Sequence, residues 1–102
     1  MTLEDVLIET CRGGHIEVVK LSIKNGANIH AQNDNAFINS CFSGQIEIVK
    51  FLIEHGANIH AQNDLAFIYS CLHGHIKIIK LLIENGADVH DDKAFINSCM
   101  NG

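Results

Sequence analysis

The chain contains no proline, which is unusual for a sequence with so many turns, and no apolar run approaching the roughly 18 to 20 residues that a membrane span requires. Neither a signal peptide nor a transmembrane helix is therefore expected. Basic residues are also scarce, because Lys+Arg 7 against Asp+Glu 12 gives a formal net charge of −5. That balance supplies no basic footprint for nucleic acid or for an anionic membrane surface, and it makes a basic or mixed protein surface the expected partner. No linker or low-complexity segment divides the 102 residues, so one domain over 1–102 is expected. The spacings C-x-x-C and H-E-x-x-H, which would bring metal ligands together, do not occur, and no glycine-rich elbow surrounds a serine.

What the chain has instead is a repeat. Residues 28–57 recur almost letter for letter at 58–87, and residues 1–27 align without a gap on 31–57, with Cys11 on Cys41 and Gly26 on Gly56. A fixed period of this size means stacked supersecondary units. Within one unit, Gln45 to His55 is apolar at 46, 48, 49, 51, 52 and 53, while Glu47, Lys50 and Glu54 form a single narrow polar stripe. One neighbouring face cannot cover so wide an apolar arc, so this helix must lie between the copies before and after it. Gly26, Gly56 and Gly86 stand where a left-handed residue closes a helix. Asn35 to Phe42 reads as a shorter, two-turn helix that Asp34 or Asn35 can cap, and Ser43-Gly44 turns the chain back. The stretch that joins one pair to the next is polar apart from two alanines and an isoleucine, and reads as a projecting turn.

The run Ser43-Gly44-Gln45-Ile46-Glu47-Ile48-Val49-Lys50-Phe51-Leu52-Ile53-Glu54-His55-Gly56-Ala57-Asn58-Ile59 resembles the second half of an ankyrin repeat, G-H-x-E-V-V-K-x-L-L-x-x-G-A-D-V. Gly13-Gly14-His15-Ile16-Glu17-Val18-Val19-Lys20 and His73-Gly74-His75 match that pattern more closely. The resemblance covers nearly the whole chain. It implies an all-α, ankyrin-like solenoid of stacked antiparallel helix pairs joined by projecting turns, with repeats at 1–27, 28–57 and 58–87 and a partial fourth at 88–102. The sequence departs from the family in its period, which is 30 residues here where about 33 is usual. It also lacks T-P-L-H, whose place is taken by Asn35-Ala36-Phe37-Ile38 and Leu65-Ala66-Phe67-Ile68. The histidine and threonine that normally tie neighbouring repeats are thus missing, and so is the proline. This short form, with its Ala31-Gln32-Asn33-Asp34 turn, is similar to repeats in the long ankyrin arrays of giant DNA viruses.

The two ends are expected to differ. Repeat one starts in its first helix, with Thr2 and Asp5 spaced as a capping box, and its Glu4, Glu9, Arg12 and Ser22 suit an N-terminal cap whose end face meets water. The fourth repeat has no second helix, which leaves Phe95, Ile96 and Cys99 without a covering layer. Each large apolar side chain left in water forfeits about 1.5 to 3 kcal/mol. Three readings are open: the parent protein continues, the last helix folds down as a cap, or this end binds something, a second copy of the chain included.

Cys11, Cys41, Cys71 and Cys99 occupy one position of the repeat. Stacked helices lie about 8 to 10 Å apart, beyond the roughly 7 Å between Cα atoms that a disulfide tolerates. Small, reduced core residues are expected, and with them a reducing, cytoplasmic setting. His30, His60 and His90 recur once per repeat, too far apart to share a zinc ion with bonds of about 2 Å. Their expected role is to hydrogen-bond backbone groups of the adjacent turn. The family resemblance adds that this position, often asparagine, can be a substrate of an asparaginyl hydroxylase, so that His30 and His60 are candidate modification positions. His15, Gln45 and His75 fall at the family's G-H position and are expected to pack. Ser40, Ser70 and Ser98 also follow the repeat, and periodic copies do not converge in one pocket as an active site requires. No catalysis, metal or cofactor is expected.

What the resemblance does imply is binding of another protein on the continuous concave surface made by the turns and the exposed side of the first helices. Carried onto this sequence, the contact positions are Gln32, Asn33, Gln62 and Asn63 at the turn tips, with Arg12, Phe42, Ser43, Tyr69, Leu72 and His73 along the inner helices. The tips barely differ between copies, as a framework would. The inner set varies. Phe42 and Leu72 are the expected anchors, since buried aromatic and apolar groups dominate interface energy; the competing reading has Phe42 partly covered by the adjoining repeat.

Overall fold

A computed structural model describes residues 1–87 of the chain. The partial fourth repeat, with His90, Phe95, Ile96, Ser98 and Cys99, lies outside the described residues. Six helices follow one another: α1 (Leu3–Gly13), α2 (Ile16–Lys24), α3 (Ala31–Phe42), α4 (Ile46–Glu54), α5 (Ala61–Leu72) and α6 (Ile76–Glu84). No strand occurs among the described residues. The helices pair within each repeat, α1 packs on α3 and α3 on α5 to form an inner layer, and α2, α4 and α6 follow as an outer one. The resulting stack measures 42 × 21 × 20 Å along its principal axes.

Local chemistry explains where the helices begin and end. At the start of α1, the Thr2 hydroxyl accepts from the Asp5 amide at 3.1 Å, and the Asp5 carboxylate accepts from the Thr2 amide at 3.0 Å, which is the capping box that the spacing predicts. The backbone bond to Thr2, reinforced by its hydroxyl, holds the Asp5 carboxyl below its ordinary pKa. Each second helix closes with a six-to-one hydrogen bond, Ala27 to Ser22, Ala57 to Leu52 and Ala87 to Leu82, around Gly26, Gly56 and Gly86 at positive φ. The turn within each pair closes in the same way. Gly44 is required there twice over, because its φ is 75° and an added Cβ would stand 2.8 Å from the ring of His75 in the next repeat.

The core runs along the stack between units. Val19, Ile48, Val49, Leu52, Ile78, Ile79 and Leu82 from the outer helices are buried, together with Leu7, Cys11, Ala36, Phe37, Ile38, Cys41, Ala66 and Phe67 from the inner ones. Both sides of α4 therefore find apolar partners, as its wide arc demands. The cap expected at repeat one is not what the structure shows. Ser22 is buried where the other repeats place Leu52 and Leu82, and Glu9 and Arg12 sit on the inner face. The end face itself exposes Leu3, Val18 and Leu21, the last at 58%. Val18 and Leu21 are the periodic equivalents of Ile48 and Phe51, which are covered because a repeat precedes them.

The entry to each inner helix also differs from expectation. Neither Asp34 nor Asn35 caps α3. Instead Gln32, Asn33 and Asp34 all take left-handed backbone angles, with φ of 56°, 57° and 61°, and Gln62, Asn63 and Asp64 repeat the turn. Asparagine and aspartate tolerate this region better than other side chains, and three in succession cost of the order of 1 kcal/mol each. The turn drives the Asp34 carboxylate into the interface, where it is only 3% exposed and accepts the backbone N–H of Asn58 in the next repeat at 2.6 Å. Its other oxygen meets Nδ1 of His30 at 2.7 Å. Glu4, the equivalent of Asp34, accepts from the Asn28 amide at 2.9 Å.

Ties between repeats thus exist without T-P-L-H, and the first kind is made by carboxylates. His30 and His60 do not reach the adjacent turn as expected; each meets the carboxylate of its own repeat, His60 at 2.6 Å from Asp64. A second tie comes from the residue that opens the outer helix. The Gln45 amide donates to the carbonyl of Arg12 at 3.4 Å and Nε2–H of His75 to that of Phe42 at 3.0 Å, each satisfying a carbonyl at the end of the inner helix before it.

Two outcomes follow from these contacts. Asp34→Ala strands the Asn58 amide and is expected to cost about 2 to 3 kcal/mol in urea unfolding, with Asp34→Asn, which keeps one acceptor oxygen, costing less; an unchanged midpoint would remove the carboxylate from the list of ties. Cys11, Cys41 and Cys71 are buried without forming disulfides, and burial pushes the thiols of Cys11 and Cys41 up to about 12. Those two cysteines should resist a soluble thiol reagent in the native state and react in urea; rapid labelling of the folded chain would contradict the packing.

Candidate functional site

Regular stacking places equivalent residues of the inner helices in columns, and the columns that face outward on the inner side hold Asp5, Asn35 and Leu65, then Glu9, Asn39 and Tyr69, then Arg12, Phe42 and Leu72. Their chemistry changes along the stack, whereas the buried columns repeat. At the first repeat, Arg12 is exposed and paired with Glu9 across one helical turn. Asp5, Glu9 and Arg12 line one open cavity together with Gln32, Asn35 and Asn39.

The expected contact residues fall into three places. Gln32, Asn33, Gln62 and Asn63 are exposed at the left-handed tips, and the Gln62 amide donates to the Asn33 carbonyl at 3.1 Å, so that successive tips are joined. Phe42, Tyr69 and His73 come together near the third repeat. The Phe42 ring meets Tyr69 edge-on with centroids 5.1 Å apart and His73 at 4.6 Å. Leu72 lies on the last turn of α5 and is 63% exposed, while Phe42 remains 42% exposed despite its two neighbours. The adjoining repeat therefore orients Phe42 and leaves much of the ring open. Ser43 is half-buried as the residue that closes α3. Arg12 stands apart from this cluster, two repeats away from Leu72.

Asp5, Glu9, Asn35 and Asn39 share this face and were not among the expected contacts. The signal that identifies them is the variation within their columns, Asp-Asn-Leu and Glu-Asn-Tyr, against the near identity of the tips. Charge is divided between the two faces. Lys20, Lys24, Lys50, Lys77 and Lys80 all lie on the outer helices, so Arg12 is the one side-chain cation of the inner helices among the described residues. Also among the described residues, no group of three His, Cys, Asp or Glu side chains is placed to hold a metal ion, and no helix is long and apolar enough to cross a membrane.

Helix pairs stacked in register, with a deep interface and one variable face, define a helical-repeat solenoid. A family model described as ankyrin repeats (3 copies) matches residues 7–93, and the chain belongs to the ankyrin-repeat family. Repeats of this family generally mediate protein–protein interactions, and the family is typically a non-enzymatic interaction module. No curated protein matches the chain.

Proposed function

We propose that this chain binds a partner protein reversibly through the inner face of the stack, without catalysing a reaction, and that Phe42, Tyr69, Leu72 and His73 form the anchoring cluster. The observation that carries this reading is the pair of large apolar side chains, Phe42 and Leu72, exposed at equivalent positions of successive repeats on the face whose columns vary along the stack. Tyr69 and His73 hold the Phe42 ring edge-on before any partner arrives. The carboxylate ties and joined tips fix the surrounding surface in the same way. Little ordering entropy is then lost on association, and more of the contact energy remains as affinity.

A second reading, self-association through an end of the stack, draws support from the apolar end face of repeat one. Leu3, Val18 and Leu21 there are the kind of side chains that inner repeats bury against one another.

Two measurements separate the readings. Phe42→Ala combined with Leu72→Ala should weaken partner binding by about 2 kcal/mol or more, roughly thirtyfold, with the helical circular dichroism unchanged; full affinity in the folded double variant would overturn the inner-face proposal. Solution mass measured over a wide concentration range should stay that of a monomer if the inner face is the functional surface. A rise with concentration that Leu21→Gln removes would establish the end face instead.

A further inference from the structure

Resting on the inner-face reading above, we propose that the occupant is an extended peptide segment of the partner, basic at the end near the first repeat and apolar or aromatic at the end near the third. Two of the three variable columns, Asp5-Asn35-Leu65 and Glu9-Asn39-Tyr69, run from carboxylate through amide to apolar or aromatic side chains, and the third passes from Arg12 directly to Phe42 and Leu72. A segment that lies across all three must therefore be polarised, and its direction is fixed.

At the first repeat the excess acceptor capacity lies with carboxylates. Glu9 holds Arg12 through Oε2, and Asp5 holds the Thr2 amide through Oδ2. Their second oxygens, Oε1 and Oδ1, have no hydrogen-bond partner among the described residues. Arg12 and Glu9 pair with each other and the lysines are on the outer helices, so the ionised side chains at this end, Asp5 and Glu9 against Arg12, leave one carboxylate in excess. That excess, with Oε1 of Glu9 and Oδ1 of Asp5 open, favours a lysine or arginine over an acidic side chain at this end. Asp5 belongs to the capping box, and its bonds with Thr2 hold its pKa down, so Glu9 is the residue that can be tested without disturbing the start of α1.

The second repeat supplies the part that recognises backbone. Asn39 Nδ2 donates to Asn35 Oδ1 at 3.1 Å, and Asn35 Nδ2 donates to Gln32 Oε1 at 3.3 Å. This relay leaves the Gln32 amide N–H groups as donors at the tip end and the Asn39 amide oxygen as an acceptor at the helix end. One donor and one acceptor set apart in this way match the C=O and N–H of an extended chain, whereas a helical segment has spent those groups internally. The third repeat has Leu65 and Tyr69 in place of Asn35 and Asn39, so no relay of this kind continues there. Its Tyr69 and Leu72, with Phe42 and His73, offer an apolar seat.

The spacing follows from the stack. Three inner helices at about 8 to 10 Å from axis to axis span roughly 16 to 20 Å, which an extended chain covers in about five or six residues at roughly 3.3 Å each.

The test is a selection from a random linear-peptide display library on the full 102-residue chain, followed by titration of the enriched peptides against wild type, Glu9→Gln and the Phe42→Ala/Leu72→Ala double variant, all checked for helical signal. Enriched peptides should carry a lysine or arginine about five or six positions from an aromatic or aliphatic residue. They should bind Glu9→Gln about two- to fivefold more weakly, lose that difference at high salt, and fail to bind the double variant. No enrichment, enrichment of acidic peptides, or affinity indifferent to Glu9→Gln would overturn the extended basic-to-apolar occupant and leave the inner-face reading standing. Enriched peptides that bind the double variant as well as wild type would overturn both.

Discussion

Everything in this molecule depends on a helix that cannot bury its own apolar surface within one repeat. The outer helix α4 is apolar around most of its circumference, and Ile48, Val49 and Leu52 reach full burial only because helices stand on both sides of it. Hydrophobic contact of this kind is strong but has little direction. Direction comes from polar ties: the Asp34 carboxylate on the Asn58 amide, its counterpart Glu4 on Asn28, and the side chains of Gln45 and His75 on carbonyls of the preceding repeat. Since the apolar columns are nearly alike in successive repeats, these bonds are what fix one register of stacking.

A fixed register is also what makes the inner face a surface. The outward columns align only while the repeats hold their places, and the cluster of Phe42 with Tyr69 and His73 is assembled from two different repeats. Stability and recognition therefore share an origin here. The left-handed Gln32-Asn33-Asp34 turn shows the connection, because the backbone conformation that sends Asp34 into the interface also presents Gln32 and Asn33 at the tip. The energetic cost of that turn is offset by a buried, charge-assisted hydrogen bond.

The periodic part of this architecture was legible in the sequence, down to the capping box at Thr2, the helix-closing glycines and the buried cysteines, because each depends on short-range spacing that repeats. What the spacing could not reveal was the fate of individual polar groups. Asp34 read as a helix cap, since its position before an apolar run looks the same whether its oxygens turn back to α3 or outward to Asn58. His30 read as the inter-repeat tie and proves to be the local partner of that same carboxylate. Ser22 and Glu4 read as cap residues from polarity alone, although one is buried and the other clips Asn28. On the inner face, Phe42 and Leu72 stood out as apolar residues in polar company. The amide relay from Gln32 to Asn39 joins a tip to a helix, and sequence spacing alone did not show that they meet.

The most direct test of this account is native-state hydrogen exchange at the backbone amides of Asn28 and Asn58. Neither lies within a helix, so an independent turn would let both exchange at nearly the rate of an unprotected chain. If carboxylates clip each repeat to the next, both amides should be protected to a degree approaching that of core amides of α4 such as Leu52, and the protection of Asn58 should collapse in Asp34→Ala. Fast exchange of Asn58 in the wild-type chain, with α4 still protected, would show that the carboxylates do not clip the repeats together and would contradict the account.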